Sequence, residues 1–238
     1  MSGNEVHAEP APDGRATRWD DHKTQNRLAT LRLEAILNAA MLVVAEDGAD
    51  ASVRDIAQRA GVPRSVVYRV FTDRADLDEQ LRVRILRDLS ERLDPALDPH
   101  GTITEAIAFA VDSYIRWIVD YPRLHRFLSI GSRARREVGA RTVTEAKADI
   151  ATRVTGLAGA VLAANGVDTG LAESLAYGVV GLVDATVNRW LANPDHAIDA
   201  DTLRGFLQSA IWNLIRGTFS DAGIDLQPTT SIAAVIAG

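Results

Sequence analysis

The chain has no cysteine among its 238 residues, so disulfide bonds, thiolate metal sites and cysteine nucleophiles are excluded. No stretch approaches the roughly 18 uncharged apolar residues of a membrane span. The N-terminal residues also lack the apolar core of a secretory signal. We therefore expect a cytoplasmic protein that engages no membrane.

The motifs of common enzymes are missing as well. There is no glycine-rich phosphate loop, no His-Glu-x-x-His helix and no Gly-x-Ser-x-Gly elbow. The histidines are scattered without close ligand spacing; they are His7, His22, His100, His125 and His196. We expect no catalysis, no cofactor and no metal site.

Lysine is nearly absent, since only Lys23 and Lys147 accompany the arginines, and the alanine content is high. This bias is typical of a GC-rich bacterial coding sequence. The net charge of −6 argues against nucleic-acid binding over the whole surface. Residues 52–74 differ, because five arginines stand against two aspartates and give the segment a net charge of +3.

Hydrophobic periodicity predicts about nine helices, and we find no convincing strand alternation, so the expected fold is all-α. A first helix runs from about Leu28 to Glu46, and Asp47-Gly48 ends it. Ser52 caps a second helix that Gly61 terminates. A short third helix spans about 63–70, and a fourth runs from residue 72 or 73 to about 93.

The second and third helices have the form of a helix-turn-helix, whose second helix enters the major groove of DNA. Val67 and Val70 would anchor this recognition helix. Its remaining polar residues would face DNA: Arg64, Ser65, Tyr68 and Arg69. The alternative from spacing alone is a helical hairpin inside an ordinary bundle, with solvated arginines.

The residue string favours the first interpretation. ILNAAMLVVAEDGADASVRDIAQRAGV, then Tyr68-x-x-Phe71 and DRADL, resemble the DNA-binding domain of the TetR/AcrR family of bacterial transcriptional regulators over about Leu33–Leu81. The resemblance implies an N-terminal three-helix DNA-binding domain followed by a helical ligand-binding and dimerisation domain. It implies groove or phosphate contacts for this set: Ser52, Arg54, Pro63, Arg64, Ser65, Tyr68, Arg69 and Arg74. Val66-Val67 depart from the smaller residues common in the family and leave the operator sequence open.

The same patterns predict the domain organisation. Residues 1–27 read as a disordered arm, either a solvated tail or an arm that reaches DNA. Residues 28–93 form the DNA-binding domain with its connecting fourth helix, and the proline-rich DPALDPHGT marks a boundary. Residues 94–220 form the ligand-binding and dimerisation domain, and 221–238 a loosely ordered tail. Helices are expected at about 102–121, 122–130, 134–164, 169–191 and 201–219.

Small residues on the 169–191 helix would let two helices approach closely, and the 201–219 helix is rich in apolar residues. We predict a homodimer interface there: Gly178, Gly181, Ala185, Phe206, Ile211 and Leu214. The alternative is that this surface is intramolecular core. A dimer is expected separately, because one recognition helix covers only a half-site.

A ligand pocket would combine aromatic residues with a few polar groups. The candidates are Phe109, Tyr114, Trp117, His125, Phe127, Asp184 and Asn188. Aromatic residues at this spacing are equally compatible with an ordinary core.

The sequence therefore predicts a repressor that leaves a palindromic double-stranded operator when a small, largely apolar effector binds the C-terminal domain. Two alternatives stay open within DNA binding, a regulator without a small-molecule inducer and an activator. A third, of another class, is a helical interaction protein that has lost DNA recognition.

Overall fold

The computed structural model describes residues 14–97, 101–134, 139–193, 195 and 197–237. Within these residues the chain is all-α, with no strand, as the sequence predicts. The helices are α1 (Gly14–Asp47), α2 (Val53–Arg59), α3 (Arg64–Val70), α4 (Arg74–Leu93), α5 (Ile103–Asp120), α6 (Pro122–Ala134), α7 (Gly139–Ala164), α8 (Leu171–Leu191), α9 (Ala200–Asp221) and α10 (Ile232–Ala237). Short 3-10 turns lie at Gly48–Asp50 and Asp94–Leu97.

The turns around α2 follow the predicted residues. Gly48 adopts a positive φ of 65° after α1, and Gly61 one of 67° after α2. Both angles lie in the left-handed region that favours glycine. The Ser52 Oγ accepts a hydrogen bond from the Asp55 N–H at 3.2 Å and so caps α2. These local signals set the relative directions of α1, α2 and α3.

The expected disordered arm is wrong for residues 14–27, because α1 begins at Gly14. Residues 1–13 of that arm lie outside the described residues. Once Ile36 and Ala40 fix the helix in the core, each added residue forms a backbone hydrogen bond without a new nucleation step. Residues 15–27 contain no glycine or proline that would stop this extension.

The segment Arg27–Asp47 of α1 is long and apolar enough, by length and composition, to cross a membrane. Its apolar residues serve another purpose here. Ile36, Ala40 and Val44 are completely buried against the other helices. Core packing therefore accounts for the buried part of the segment, which is 33% of the window, whereas Leu28, Leu31 and Leu42 are exposed.

α4 stands at the centre of the main hydrophobic core. Leu77, Leu81, Ile85 and Leu89 are all buried along its length. The same core contains α1, α2 and α3 residues and also residues of α5, α6 and α9. One helix thus contacts both the helix-turn-helix and the larger helical region.

A capping box opens α5: the Thr102 Oγ1 accepts from the Glu105 N–H at 3.1 Å, and the Glu105 carboxylate accepts from the Thr102 N–H at 2.9 Å. α6 continues to Ala134, four residues beyond the expected end. α7 runs unbroken through Gly156 and Gly159. Residues 135–138 lie outside the described part of the chain.

The loosely ordered tail is also wrong for residues 222–237. Ile224, Leu226 and Ile232 are buried, and they pack with residues of α7, α8 and α9. The Ile232 N–H donates to the Gly101 carbonyl at 2.9 Å. The tail adds α10, which is why ten helices are present among the described residues where about nine were predicted.

Candidate DNA-binding interface and ligand cavity

α3 has one anchored face and one exposed polar face. Val67 is 1% exposed, and Phe71 just beyond the helix is equally buried. The opposite face is exposed and carries Arg64, Ser65, Tyr68 and Arg69. This division is the one that a groove-reading helix requires.

Arg64 and Tyr68 lie together on this exposed face, one helical turn apart. The Arg64 guanidinium carbon is 5.9 Å from the centroid of the Tyr68 ring, and one guanidinium nitrogen is 3.5 Å from the phenol oxygen. Tyr68 is nevertheless 49% exposed. The pair therefore presents a cation and a hydroxyl side by side, both suited to a phosphate oxygen.

Ser52 and Pro63 occupy the starts of the two helices. The Ser52 hydroxyl donates to the Asp55 carboxylate, and this bond lowers the pKa of Asp55 below its usual value. A DNA phosphate would compete with that carboxylate for the hydroxyl. Pro63 is exposed and caps α3 in an extended conformation, so the helix itself begins at Arg64.

Arg74 joins the start of α4 to Ala51, which precedes Ser52, the N-cap of α2. Its Nε donates to Asp78 Oδ1 at 2.7 Å, and a terminal nitrogen donates to the Ala51 carbonyl at 2.7 Å. The side chain is 36% exposed, which leaves part of it accessible. The geometry makes Arg74 a positioning residue for the helix-turn-helix as well as a candidate phosphate contact.

Arg59 is also held in an ion pair. It pairs with Glu46 at the end of α1, with one N···O distance of 3.0 Å, and this pairing lowers the pKa of Glu46. Among the described residues, Arg54, Arg64 and Arg69 make no ion pair. The positive charge that remains available near α3 is therefore carried by these three arginines.

A cavity of about 450 Å³ lies among α4, α5, α6, α7, α8 and α9. Its volume is within the range of small-molecule sites. Most of its wall is aliphatic, with Leu86, Leu89 and Leu93 from α4 and Val179, Val180 and Val183 from α8.

Five of the seven predicted pocket residues line this cavity: Tyr114, Trp117, His125, Asp184 and Asn188. Phe109 does not, and it is 43% exposed. Phe127 also lies outside the lining and packs under the Arg82 guanidinium, 5.0 Å from the ring centroid. Both residues face away from the cavity. At 100° per residue, Phe109 points about 140° away from Tyr114 around the axis of α5, and Phe127 points about 160° away from His125 around the axis of α6.

The polar part of the cavity is centred on Asp184. Lys147 Nζ lies 2.8 Å from Asp184 Oδ1, and the Asn188 amide donates to the same oxygen at 2.8 Å. Lys147 was missed in the sequence interpretation. Two signals pointed to it: its rarity beside so many arginines, and its helical spacing with Val143, Ile150 and Val154.

Tyr114 and His125 also belong to this polar part. Burial raises the pKa of Tyr114, and the negative charge of Asp184 raises it further. Burial lowers the pKa of His125 below its usual 6.5, which Asp184 opposes and Lys147 reinforces. Both side chains are therefore uncharged at neutral pH. The rings of Tyr114 and Trp117 are parallel with centroids 6.5 Å apart.

The model of the family described as bacterial regulatory proteins, tetR family, matches residues 36–81, which span α1 from Ile36 through the first part of α4. The matched segment contains the helix-turn-helix, so this part of the chain is similar to the DNA-binding region of the tetR family.

Further proteins are similar to this chain in sequence or in fold. The HTH-type transcriptional repressor LfrR of Mycolicibacterium smegmatis is 39% identical over 127 residues, which cover 47% of this chain and 65% of LfrR. A tetR-family transcriptional regulator from Streptomyces coelicolor has a TM-score of 0.62 at 16% identity, over 79% of this chain and 84% of that one. The transcriptional regulator FadR from Bacillus subtilis, solved in complex with stearoyl-CoA, has a TM-score of 0.58 at 22% identity, over 77% of this chain and 98% of FadR.

α8 and α9 share an exposed face of small and apolar residues. Gly178, Gly181 and Ala185 are exposed, as are Phe206 at 51% and Leu214 at 38%. Ile211, predicted for the same interface, is instead 4% exposed and lines the cavity. It lies five residues after Phe206, about 140° around α9, and so faces the interior.

Proposed function

We propose that this chain is a tetR-family repressor that binds a two-fold operator as a homodimer and leaves it when a small, largely apolar ligand fills the cavity. It works in the cytoplasm and is not an enzyme. The observation that carries the proposal is the position of α4, which supports the helix-turn-helix with one half and walls the cavity with the other.

DNA is read by α3 in the major groove. Arg64 and Arg69 are the candidates for guanine edges, since an arginine can satisfy both acceptors of that base. Ser65 and Tyr68 are placed for phosphate oxygens. Ser52, Arg54, Pro63 and Arg74 lie at the starts of α2, α3 and α4 and would add contacts to the DNA backbone.

The dimer forms through the exposed face of α8 and α9. Glycines at 178 and 181 allow a partner helix to approach closely, and Phe206 and Leu214 supply apolar area that is exposed in the single chain. An added Cβ at Gly181 would meet no atom of its own chain within 4 Å. The space beside this glycine is therefore open for a partner.

Two helices connect the cavity to the DNA-binding helices. α4 has 20 residues and is about 30 Å long. Leu77 and Leu81 pack in the core near its start, whereas Leu89 and Leu93 line the cavity. Movement of the distal half would therefore shift the Arg74 end, which holds the Ala51 carbonyl.

α6 offers a second connection. His125 lines the cavity, while Arg123 on the same helix donates to the Glu46 carbonyl at the end of α1 and lies against Gly48. A ligand that displaces α4 or α6 would favour a conformer whose two α3 helices no longer match the half-site spacing.

The similar proteins support the two parts of this proposal separately. LfrR is named a repressor, and FadR from B. subtilis holds stearoyl-CoA. The direct test is to select an operator from random duplexes, measure its affinity at 50 and 200 mM salt, and repeat the measurement with ligands that bind the cavity. We expect affinity to fall steeply with salt and to fall again at saturating ligand. If no cavity ligand changes operator affinity, the induction part of the proposal is wrong.

A further inference from the structure

We infer that the cavity selects uncharged ligands that carry a hydrogen-bond-accepting oxygen, such as a ketone or ester carbonyl, on an apolar body. The Lys147–Asp184 ion pair is the residue pair that sets this preference. The inference rests on the proposed function, because it names the class of molecule that the same cavity takes.

The charges of the cavity cancel each other. Lys147 and Asp184 are paired at 2.8 Å, and the Asn188 amide occupies the same Asp184 oxygen. His125 is uncharged at neutral pH because burial lowers its pKa. The described lining residues therefore carry a formal charge of zero, one positive and one negative.

A charged ligand would find no unpaired countercharge in such a site. A carboxylate would have to take Lys147 from Asp184, and an ammonium group would have to take Asp184 from Lys147. Either exchange leaves one charge of the pair without its partner beside a mostly aliphatic wall, which is unfavourable. The two side chains are 41% and 34% exposed, so screening moderates this penalty without removing it.

Among the polar side chains that line the cavity, Tyr114 and His125 are available for an uncharged ligand. Among the described residues, none forms a hydrogen bond with the Tyr114 hydroxyl or with the His125 ring. His125 is 8% exposed, so its ring has little access to water outside the cavity. Tyr114, His125 and Asp184 all line this cavity.

These two groups define what the ligand must offer. A neutral phenol donates one hydrogen bond, and a neutral imidazole has one donor and one acceptor nitrogen. A carbonyl oxygen can accept from two donors at once, so it would satisfy groups that an apolar ligand would cover without giving them a partner. A pure hydrocarbon would leave them unsatisfied, and a sugar-like molecule would lose its hydration against the aliphatic wall.

Four probes of matched length test the inference without DNA: 2-undecanone, undecane, sodium undecanoate and undecylammonium chloride. Their dissociation constants are measured at pH 7.5 by tryptophan fluorescence and calorimetry. We expect the ketone to bind on the order of tenfold more tightly than each of the other three. Tyr114→Phe should weaken ketone binding about three- to tenfold while leaving undecane unchanged.

Charge variants test the role of the ion pair. Lys147→Gln leaves Asp184 unpaired and should raise the affinity ratio of undecylammonium to ketone by about tenfold or more. Asp184→Asn leaves Lys147 unpaired and should raise the affinity ratio of undecanoate to ketone by a similar factor. The double variant K147Q/D184N is uncharged and should keep the wild-type ranking. The affinities of two probes are compared within one variant, because their ratio does not depend on the folded fraction of that variant. The ranking of the four probes is measured on the wild-type protein alone.

The inference is overturned if wild-type protein binds undecanoate or undecylammonium as tightly as the ketone, if it binds no ketone, or if the single variants leave the ratios unchanged. Failure of the proposed function looks different. If the ketone binds with the expected preference but leaves operator affinity unchanged, the induction proposal fails and the selectivity stands. If a charged compound fills the wild-type cavity in preference to the ketone and releases the operator, the selectivity inference fails and the induction proposal stands.

Discussion

Cationic side chains are arranged in opposite ways on α3 and in the cavity. On and beside α3, Arg64, Arg69 and Arg54 are exposed and make no ion pair among the described residues. In the cavity the one lysine is paired with Asp184. Unpaired surface cations are ready to replace counterions on a phosphate backbone, whereas a neutralised pair leaves a site for uncharged molecules. Unpaired cations at one site and a neutralised ion pair at the other therefore distinguish the two sites.

The largest effect is expected from blocking the proposed dimer. Gly181→Arg should leave the fold of the single chain intact, because no atom lies within 4 Å of the added Cβ, but it should prevent close helix approach. Without a second α3 the operator affinity should fall about 100-fold or more. Gly156→Arg is the matched control, since Gly156 is also an exposed helical glycine with open space around it. Light scattering measures the oligomeric state, and operator titration measures the affinity for DNA. A dimeric Gly181→Arg protein would contradict the interface.

Removing one unpaired cation of α3 should have the next largest effect. Arg69→Ala should reduce affinity for the selected operator by about tenfold to a hundredfold and relax the preference at one base position. Arg116→Ala on the exposed face of α5 is the control and should change neither the operator affinity nor the base preference. The measurement is a titration of operator variants by fluorescence anisotropy. Equal losses on all sequences would make Arg69 a phosphate contact instead of a base contact.

A paired cation should behave differently from an unpaired one. Arg74→Met removes the bonds to Asp78 and Ala51 and should lower the free energy of unfolding by about 1 kcal/mol, because the partly exposed pair is screened by water. It should also weaken binding to all duplexes alike. Arg74→Lys keeps the charge but cannot reach both partners in the same geometry. We therefore expect the lysine variant to restore part of the DNA affinity and little of the stability in urea unfolding. Full recovery of both would contradict the positioning role.

The smallest effect concerns His125, which faces Asp184, Lys147 and Trp117 in the cavity. Its pKa is lower in the folded protein than the usual 6.5, so below pH 6.5 the unfolded chain binds more protons. The stability contribution is present above pH 6.5 and is lost as the pH falls toward the folded pKa. Urea unfolding at pH 7.5 and 5.5 should show a smaller acid loss for His125→Gln than for wild type. An equal loss in both proteins would assign the pH dependence to other groups.

Local patterns predicted the DNA-binding half well, because they depend on neighbouring residues. Ser52, Gly61 and Val67 each act within a few positions of the chain, as cap, turn and anchor. The motif from Ile36 to Leu81 adds a family pattern that periodicity alone cannot supply.

The cavity depended on longer-range information. Phe109, Phe127 and Ile211 lie on the right helices but on the wrong faces. Their orientation follows from how α5, α6 and α9 rotate against their neighbours, and the apolar pattern of one helix leaves that rotation open. The tail shows the same limit, because the burial of Leu226 requires the surface formed by α7 and α9.

The central claim is that occupation of the cavity and binding of the operator are coupled through α4 and α6. Coupling between two sites is reciprocal in free energy. The direct measurement is the affinity of the tightest-binding undecanone-type ketone for the free protein and for the operator-bound protein, together with operator affinity at zero and saturating ketone. We expect both affinities to fall by the same factor. Equal ketone affinity for the free and operator-bound protein would contradict the account.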